Sequence, residues 1–468
     1  MRVAGIVAEY NPFHTGHLYL LNKVREELGE DTAIVVIMSG DFVQRGIPAI
    51  SDRSSRACAL LSSGADLVLE LPFTFATGSA DRFARGSILS LAKSTVVTDL
   101  FFGAEHDSLE DLLYIASLDP EADSGSEAGD LFHSRLEELQ KEGRPYAAAW
   151  QEAFTAYLEA RAETASEECP ETTSSESCLD ARHTTTTTTR FSSERLAAIL
   201  KEPNNILAIS YLRELKRCGS DIKPHLVHRE NAYHEEGLKE DSFPSATALR
   251  KTILERYDTL TKPEFIRSLS DLLPFIPDTM LAEMLCQWNH ETRPMGENDL
   301  IEAALPLLRA SSSEKLAETA HMGPHLAGYL KGAIRNLHYD GNESVSVLFR
   351  KKAETRCFAY TRILRALSSL LVGQTAEDLT ALTDPKYLRL LGFSEKGRTV
   401  LKAMRGQSEL PILSRASDAL HYAKDPAFAR MDELDRISHD FWTSHARGTF
   451  EEDFKREVIQ FKRGRIYR

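Results

Sequence analysis

The chain has 468 residues, of which 42% are hydrophobic and 27% are charged, and its formal net charge is −14. Because this length exceeds that of a typical domain with a single hydrophobic core, two or three domains are expected. The overall acidity argues against a general nucleic-acid binder. Net charge is only a sum, however, and a local basic patch can still bind nucleic acid. The sequence shows neither a long apolar run nor a signal-peptide pattern, which predicts a cytoplasmic protein that does not bind a membrane. No protein partner is predicted.

Six cysteines lie far apart in the sequence, and none belongs to a Cys-x-x-Cys pair. Structural zinc sites and redox motifs usually need such closely spaced pairs. We therefore predict no protein-bound metal site. Scattered free thiols are typical of proteins in a reducing compartment.

Residues 1–110 alternate between short apolar runs and amphipathic helical patterns. Strands separated by helices indicate βαβ units and a parallel sheet. Ligands of such sheets bind at the carboxyl ends of the strands. The predicted strands are 3–8, 33–38, 65–71 and 96–102, and the predicted helices are 17–28, 53–62 and 80–92.

The middle of the chain interrupts this alternation. One helical pattern, 131–162, precedes a stretch rich in Ser, Thr and Glu, 164–190, which contains six consecutive threonines. Because that stretch has too little apolar surface to offset its ordering entropy, we predict a disordered insertion. The pattern then resumes with predicted helices 194–200, 206–216 and 245–256 and a predicted strand 222–228.

After about residue 260 the patterns are almost wholly helical, with no further strand-helix alternation. The sequence therefore predicts an α/β protein with two domains. The first, residues 1–258, is a Rossmann-like parallel-sheet domain that carries the insertion. The second, residues 259–468, is α-helical.

The sharpest local signal is the His-x-Gly-His of His14, Gly16 and His17, which lies between the first predicted strand and helix. A helix start attracts phosphate, because free N–H groups and the positive dipole end meet there. Glycine lets phosphate approach the backbone, and two imidazoles can donate hydrogen bonds as charge builds at an α-phosphate. We predict that His14 and His17 are catalytic. The alternative is a capped turn whose histidines only bond the backbone.

The His-x-Gly-His motif resembles the HxGH nucleotidyltransferase superfamily, and the longer string GIVAEYNPFHTGH resembles the tRNA(Met) cytidine acetate ligase family. Members of that family are bacterial enzymes that acetylate the wobble cytidine of elongator tRNA(Met). The resemblance implies that this segment binds ATP, with Mg²⁺ accompanying the nucleotide. The residues implied are Val7, Ala8, Glu9, Tyr10, Asn11, Pro12, Phe13, His14, Thr15, Gly16, His17, Leu18, Tyr19 and Leu20.

Three further segments, 38–46, 101–105 and 201–207, resemble the same family. The resemblance implies that Gly103 lets adenosine lie against the backbone at the end of the fourth strand. It also implies that Asn204 contacts the nucleotide. On the residues alone, an asparagine at a helix start is more often a cap.

Two more phosphate-binding positions are implied at later turns. Arg229 resembles an arginine that clamps the ATP phosphates, but its spacing to Tyr233 is one residue short, so His228 is a rival for that position. Segment 242–250 resembles the second signature of the superfamily, in which hydroxyls at a helix start and an arginine, here Arg250, grip phosphates. The alternative is a capped amphipathic helix with a solvated arginine.

Two basic clusters lie in the predicted helical half and can neutralise RNA phosphates. The alternative is a pair of solvated helix faces. The first cluster is Arg350, Lys351, Lys352, Arg356, Arg362 and Arg365, and the second is Lys455, Arg456, Lys462, Arg463, Arg465 and Arg468.

Because 387–397 also resembles the ligase family, the resemblance spans nearly the whole chain outside the insertion. It implies activation of acetate by ATP as acetyl-adenylate, and acetyl transfer to N4 of the wobble cytidine of elongator tRNA(Met). A small-molecule adenylyltransferase, with a phosphate-bearing substrate, would not need the helical domain and its basic clusters. A non-catalytic RNA-binding protein would not need the intact histidine motif.

Overall fold

The computed structural model describes residues 1–123, 125–142, 144, 146–167, 193–229, 245–290, 292–335, 337–338, 343–450, 453 and 457–467. From residue 168 onward, the insertion predicted at 164–190 lies outside these residues. Its first four residues continue a helix, which corrects the predicted start of the insertion.

The strands are β1 (Val3–Ala8), β2 (Ala33–Ser39), β3 (Leu67–Leu71), β4 (Asp99–Ala104), β5 (Lys223–His228), β6 (Leu388–Ser394), β7 (Ile412–Leu413), β8 (Ile459–Lys462) and β9 (Arg465–Tyr467). The helices before residue 260 are α1 (Thr15–Leu28), α2 (Arg53–Ser62), α3 (Phe73–Ala76), α4 (Ala80–Lys93), α5 (Leu109–Ser117), α6 (Glu127–Lys141), α7 (Tyr146–Glu167), α8 (Ser193–Lys201), α9 (Pro203–Arg217) and α10 (Ala246–Thr259).

The later α-helices are α11 (Lys262–Ser268), α12 (Asp278–His290), α13 (Glu297–Ala310), α14 (Ser313–Ala317), α15 (Gly323–Arg335), α16 (Val345–Ala353), α17 (Tyr360–Val372), α18 (Ala376–Ala381), α19 (Glu395–Gln407) and α20 (Pro426–Arg447). Two short 3₁₀ helices cover Leu269–Leu272 and Ala416–Tyr422. In the described part of the chain, no helix is both long enough and apolar enough to span a membrane.

The first five strands form the predicted parallel sheet, in the order β5-β4-β1-β2-β3. Strands β1 to β4 are buried almost throughout, because helices cover both faces of the sheet. This explains their continuous apolar runs. One core contains side chains of α1, α2 and α10 to α12, and the other contains those of α4, α9, α17, α19 and α20. The predicted α/β fold is confirmed.

The second half of the chain is mostly helical, as predicted, but it also adds four strands to the same sheet that the sequence did not predict. Strand β6 runs antiparallel to β3, with Leu67 opposite Phe393 and Glu70 opposite Arg389. Strands β7 and β8 pair with its other edge. Short apolar runs such as LRLLGFS cannot be told from buried helix by periodicity alone. The domain division at residues 258 and 259 stays a prediction.

The segment 387–397 forms β6 and the start of α19, where glycine serves close packing. A side chain at Gly397 would put its Cβ 1.7 Å from the Asp66 carbonyl oxygen. The Ser394 hydroxyl donates to the Asp66 carboxylate at 2.7 Å and accepts from the Gly397 N–H at 3.0 Å. This part of the family resemblance therefore has a structural cause.

Buried charges join the two halves beneath the carboxyl ends of β2 and β3. The Arg53 guanidinium donates to Glu70 at 2.7 Å and also to Asp453. Arg389, on β6, donates to the other oxygen of Asp453 at 2.7 Å and to Asp432 at 2.7 Å. Each buried charge in this network therefore has an opposite partner, which burial of charge requires.

Candidate functional site

The predicted histidine pair lies at the first turn of α1, where the two side chains hold the helix start. The Nδ1 atom of His14 accepts from the Gly16 N–H at 3.1 Å, and the His14 N–H donates to Nδ1 of His17 at 3.3 Å. This is a reciprocal capping box, which orders two free donors of the helix start. The two ring centroids are 3.8 Å apart. Both imidazoles are therefore fixed side by side where an α-helix attracts anions.

Burial keeps both imidazoles neutral. Burial lowers the pKa of His14 to about 3, and Arg229 and Arg250 push it in the same direction. Burial also lowers the pKa of His17 well below its usual value, with further contributions from His14 and Arg229. Near neutral pH, each ring therefore has one N–H and carries no charge.

Arg250 is nearly buried, which corrects the alternative of a solvated arginine. Its Nη1 donates to the Asn11 carbonyl oxygen at 2.6 Å, and its Nη2 donates to the Thr247 hydroxyl at 3.1 Å. Ser245 caps α10 by accepting from the Ala248 N–H at 3.1 Å. Segment 242–244 lies outside the described residues. The rest of the second signature therefore joins α10 to the histidine loop.

Arg229 follows β5, and its side chain lies over Gly103 of the neighbouring strand. A Cβ at Gly103 would be 3.2 Å from both Cγ and Cδ of Arg229. The Arg229 N–H donates to the Ala104 carbonyl at 2.9 Å, which extends the strand pairing. The Arg229 guanidinium lies close enough to both buried histidines to lower the pKa of each ring. The geometry thus favours Arg229 over His228 as a phosphate clamp.

Asn204 lies in the first turn of α9, near the end of β4. Its amide donates to one oxygen of Glu105, whose other oxygen accepts from the Asn205 N–H at 3.1 Å. Asn205 in turn accepts from the His106 N–H at 2.9 Å. Because Glu105 directly follows β4, these bonds fix the start of α9 against the strand end that contains Gly103.

The remaining residues of the predicted segment differ in their surroundings. Tyr10 and Phe13 are buried and have ring centroids 4.8 and 6.1 Å from that of His17. The Asn11–Pro12 peptide bond is cis. Tyr19 is exposed, and its ring lies under the Lys23 ammonium. Val7 and Ala8 end β1, Glu9 follows it, and Thr15, Gly16, Leu18 and Leu20 lie in the first turns of α1.

One contact that the sequence did not indicate joins the two halves beside this loop. Gln44 donates its backbone N–H to the Glu9 carboxylate at 2.9 Å and accepts from Arg365 Nε at 2.8 Å. A Cβ at Gly46 would be 2.5 Å from the backbone nitrogen of Arg365, so α17 packs directly on this loop. Gln44 belongs to a family-like segment and Arg365 to a basic cluster. Their proximity depends on tertiary structure and has no local sequence signal.

The first basic cluster surrounds the start of α17, and part of its charge is paired. Arg350 forms an ion pair with Glu354 at 3.5 Å, and Lys351 with Glu343 at 2.5 Å. Lys352, Arg356 and Arg362 are exposed. In the second cluster, Lys455, Arg456 and Arg468 lie outside the described residues. Its other members, Lys462, Arg463 and Arg465, lie on or between β8 and β9.

A cleft of about 970 Å³ lies away from the histidine loop. It is lined by residues of β6 and α19, by the segment that follows β7 and by the start of β8. Arg398, Lys402, Arg405 and Arg415 line it above an apolar floor. It contains none of the residues predicted to bind nucleotide, so the histidine loop remains the candidate active site.

The chain matches the HIGH Nucleotidyl Transferase family over residues 1–453. It is 31% identical to the tRNA(Met) cytidine acetate ligase of Acetivibrio thermocellus over 94% of each chain. It is also 31% identical to that of Syntrophomonas wolfei subsp. wolfei, over 96% of this chain and 100% of the relative.

Solved structures agree with these sequence comparisons. The crystal structure of Thermotoga maritima TmcAL bound with alpha-thio ATP is similar with a TM-score of 0.80 and 26% identity, over 99% of this chain and 100% of that one. The apo form has a TM-score of 0.82 over the same shares. The chain belongs to the HIGH nucleotidyl transferases and, within them, to the tRNA(Met) cytidine acetate ligase family.

Proposed function

We propose that the chain is an ATP-dependent ligase that acetylates N4 of the wobble cytidine of elongator tRNA(Met). The observation that carries this proposal is the pair of neutral, fixed imidazoles at the start of α1, with Arg229 and Arg250 beside them. The names of the sequence relatives and the ATP analogue bound to the T. maritima protein support the choice of substrates.

The first half-reaction activates acetate. A carboxylate oxygen of acetate attacks the α-phosphorus of ATP, and the bond from that phosphorus to the bridging oxygen of the β-phosphate breaks. The N–H groups of His14 and His17 donate to the phosphoryl oxygens as their charge increases. Arg229 and Arg250 hold the departing pyrophosphate. Acetyl-adenylate and pyrophosphate are the products.

The second half-reaction uses the exocyclic amine of cytidine. Its nitrogen attacks the acetyl carbonyl, a C–N bond forms, and the bond from the carbonyl carbon to the AMP oxygen breaks. The amine loses one proton to water, and AMP leaves. Because bases of an anticodon loop are already single-stranded, little unpairing is needed to present the cytidine.

Mg²⁺ enters this proposal only as a companion of ATP. Within the described residues, no group of three His, Cys, Asp or Glu side chains is arranged to hold a metal ion. Mg²⁺ commonly binds nucleotide phosphates while keeping several waters, so the site need not provide a full ligand cage. When bound, it would neutralise phosphate charge.

The exposed residues of the first basic cluster, Lys352, Arg356 and Arg362, are the proposed contacts to tRNA phosphates. Lys352 lies on α16, Arg356 lies between α16 and α17, and Arg362 lies on α17. Helix α17 packs on the Gln44 loop next to Glu9. An RNA bound there would therefore pass beside the histidine loop. Aromatic rings among these cations, such as Phe358 under Arg362, suit stacking with unpaired bases.

Exchange of labelled pyrophosphate into ATP tests the first half-reaction. We expect exchange that depends on acetate, and we expect His17→Ala to lower it by about 100-fold or more, as loss of one such donor does elsewhere. Glu26→Gln, on the exposed side of α1, is the control and should leave exchange unchanged. Exchange that ignores acetate but responds to a phosphate-bearing small molecule would favour an adenylyltransferase instead.

A further inference from the structure

The Glu9 carboxylate, which follows β1, interacts with polar side chains of two other elements, Tyr211 on α9 and Arg365 on α17. The backbone of Gln44 holds Glu9 and Arg365. Its N–H bonds the Glu9 carboxylate at 2.9 Å, and its carbonyl bonds Arg365 Nε at 2.8 Å. Because both bonds are made by the backbone of one residue, the carboxylate and the guanidinium are held at a nearly constant distance from each other.

These side chains keep hydrogen-bonding capacity that the described part of the chain does not use. The second oxygen of Glu9 and the terminal nitrogens of Arg365 make no hydrogen bonds there. The Tyr211 hydroxyl is buried and has no partner among the described residues either. A buried polar group without a partner costs free energy, so its persistence calls for a ligand or water.

Electrostatics agrees with this proximity. Burial raises the pKa of Tyr211 well above its usual value, and Glu9 raises it further. Burial lowers the pKa of Arg365 to about 10, while Glu9 opposes that shift. Arg365 therefore stays protonated near neutral pH and donates only.

The group adjoins the site proposed for adenylate formation. Glu9 precedes Tyr10, whose ring centroid is 4.8 Å from that of His17. The Glu9 carbonyl is fixed by Arg56, which donates to it at 2.8 Å. A base bound by Glu9 and Arg365 would thus lie beside the loop that carries both imidazoles.

We propose that Glu9 and Arg365 read the Watson–Crick edge of the acceptor cytosine and reject uracil, an inference that rests on the proposed function. Glu9 accepts from the N4 amine, and Arg365 donates to N3 and O2. Uracil has an acceptor at position 4 and a donor at N3, so it opposes both groups. Carboxylates accept from cytosine N4 in other protein–nucleic acid contacts, and unstacked bases are read along this edge.

Binding of two tRNA transcripts that differ only in C or U at the acceptor position tests this inference. Filter retention by the full chain should show that the wild type prefers the C transcript by about 10-fold or more. In Glu9→Gln the affinities for the C and U transcripts should differ by less than about threefold, since an amide can also donate to uracil. It keeps the oxygen that accepts from Gln44, so the loop should still fold.

Two further variants sharpen the result. Arg365→Lys keeps the charge but loses the paired donors, and should weaken binding of the C transcript more than that of the U transcript. Glu26→Gln should keep the wild-type ratio. An unchanged ratio in Glu9→Gln, or equal binding of both transcripts by the wild type, would overturn the inference.

Acetyl transfer by the wild type is measured in parallel. Transfer to the C transcript with an unchanged ratio in Glu9→Gln would leave the proposed function standing and refute the inference alone. Absence of transfer to the C transcript would overturn both.

Discussion

His14 has a structural role and a proposed catalytic role, and a substitution can separate the two. Its side chain caps α1, and its neutral ring faces the cations Arg229 and Arg250. Asparagine is also a good N-cap, so His14→Asn should preserve the helix start while removing the imidazole. The two roles therefore predict different outcomes for stability and for activity.

The pKa of His14 makes stability depend on pH. The folded pKa of about 3 lies below the usual value of 6.5, so between these values the unfolded chain binds a proton that the folded chain does not. The free energy of unfolding therefore falls as pH falls below about 6.5, by up to about 1.4 kcal/mol per pH unit. His14→Asn should lose this part of the slope.

Urea unfolding between about pH 7 and pH 5 measures this slope in the wild type and in His14→Asn. Parallel pH dependence in the two proteins would show that His14 does not stay neutral in the fold. Carboxylates with lowered pKa values, such as Asp41, contribute a slope of the same sign, but only at lower pH and in both proteins.

A substitution at Gly103 separates nucleotide binding from folding. A Cβ there would press on Arg229 at 3.2 Å. Because valine suits a buried strand, Gly103→Val should leave the unfolding midpoint nearly unchanged. Displacement of Arg229 should weaken ATP binding by about 10-fold, equivalent to about 1.4 kcal/mol. Calorimetric titration with ATP measures this, and wild-type affinity would contradict the assignment of Arg229.

Helix α19 contains two glycines whose substitution by alanine should change the stability in opposite directions. Gly397 packs against the Asp66 carbonyl, whereas nothing lies within 4 Å of a Cβ at Gly406. Gly397→Ala should destabilise the protein by about 3 kcal/mol through overpacking. Gly406→Ala should stabilise it by about 0.5–1 kcal/mol through helix propensity. Equal unfolding free energies for the two variants would refute the packing role.

The elements of the first half were predictable because their signals are local. The apolar runs of β1 to β4 and the helical periods of α1, α2 and α4 gave their positions to within a few residues. The pattern 131–162 was predicted as one helical stretch and is two helices, α6 and α7, because periodicity does not show a turn between helices of similar composition. Strand β6 was missed because its pairing with β3 is a long-range contact.

The candidate site was predictable to a similar degree. His14, Gly16 and His17 form one motif, and the resemblance pointed to Gly103, Asn204 and Arg229; their ATP contacts stay a prediction. The convergence of Glu9, Gln44 and Arg365 was not predictable, since it depends on α17 packing on a loop over 300 residues earlier in the chain. Spatial neighbours from distant elements leave no spacing pattern in a single sequence.

At the scale of the whole molecule, local basic charge must outweigh a net charge of −14 if RNA is to bind. Arg356 is exposed in the first basic cluster. Arg356→Gln should weaken tRNA binding at low salt and lower the slope of log K against log salt by about 1. Lys141→Gln, on α6, is the control. An unchanged slope in Arg356→Gln would place the RNA on another surface.

In the proposed reaction, one chain links ATP, acetate and a tRNA cytidine. The most direct measurement is transfer of label from radioactive acetate to total bacterial tRNA, with ATP present or omitted. We expect ATP-dependent label on a single tRNA species, recovered as N4-acetylcytidine after digestion. The absence of label from every tRNA, in a preparation that binds ATP, would contradict the proposed function.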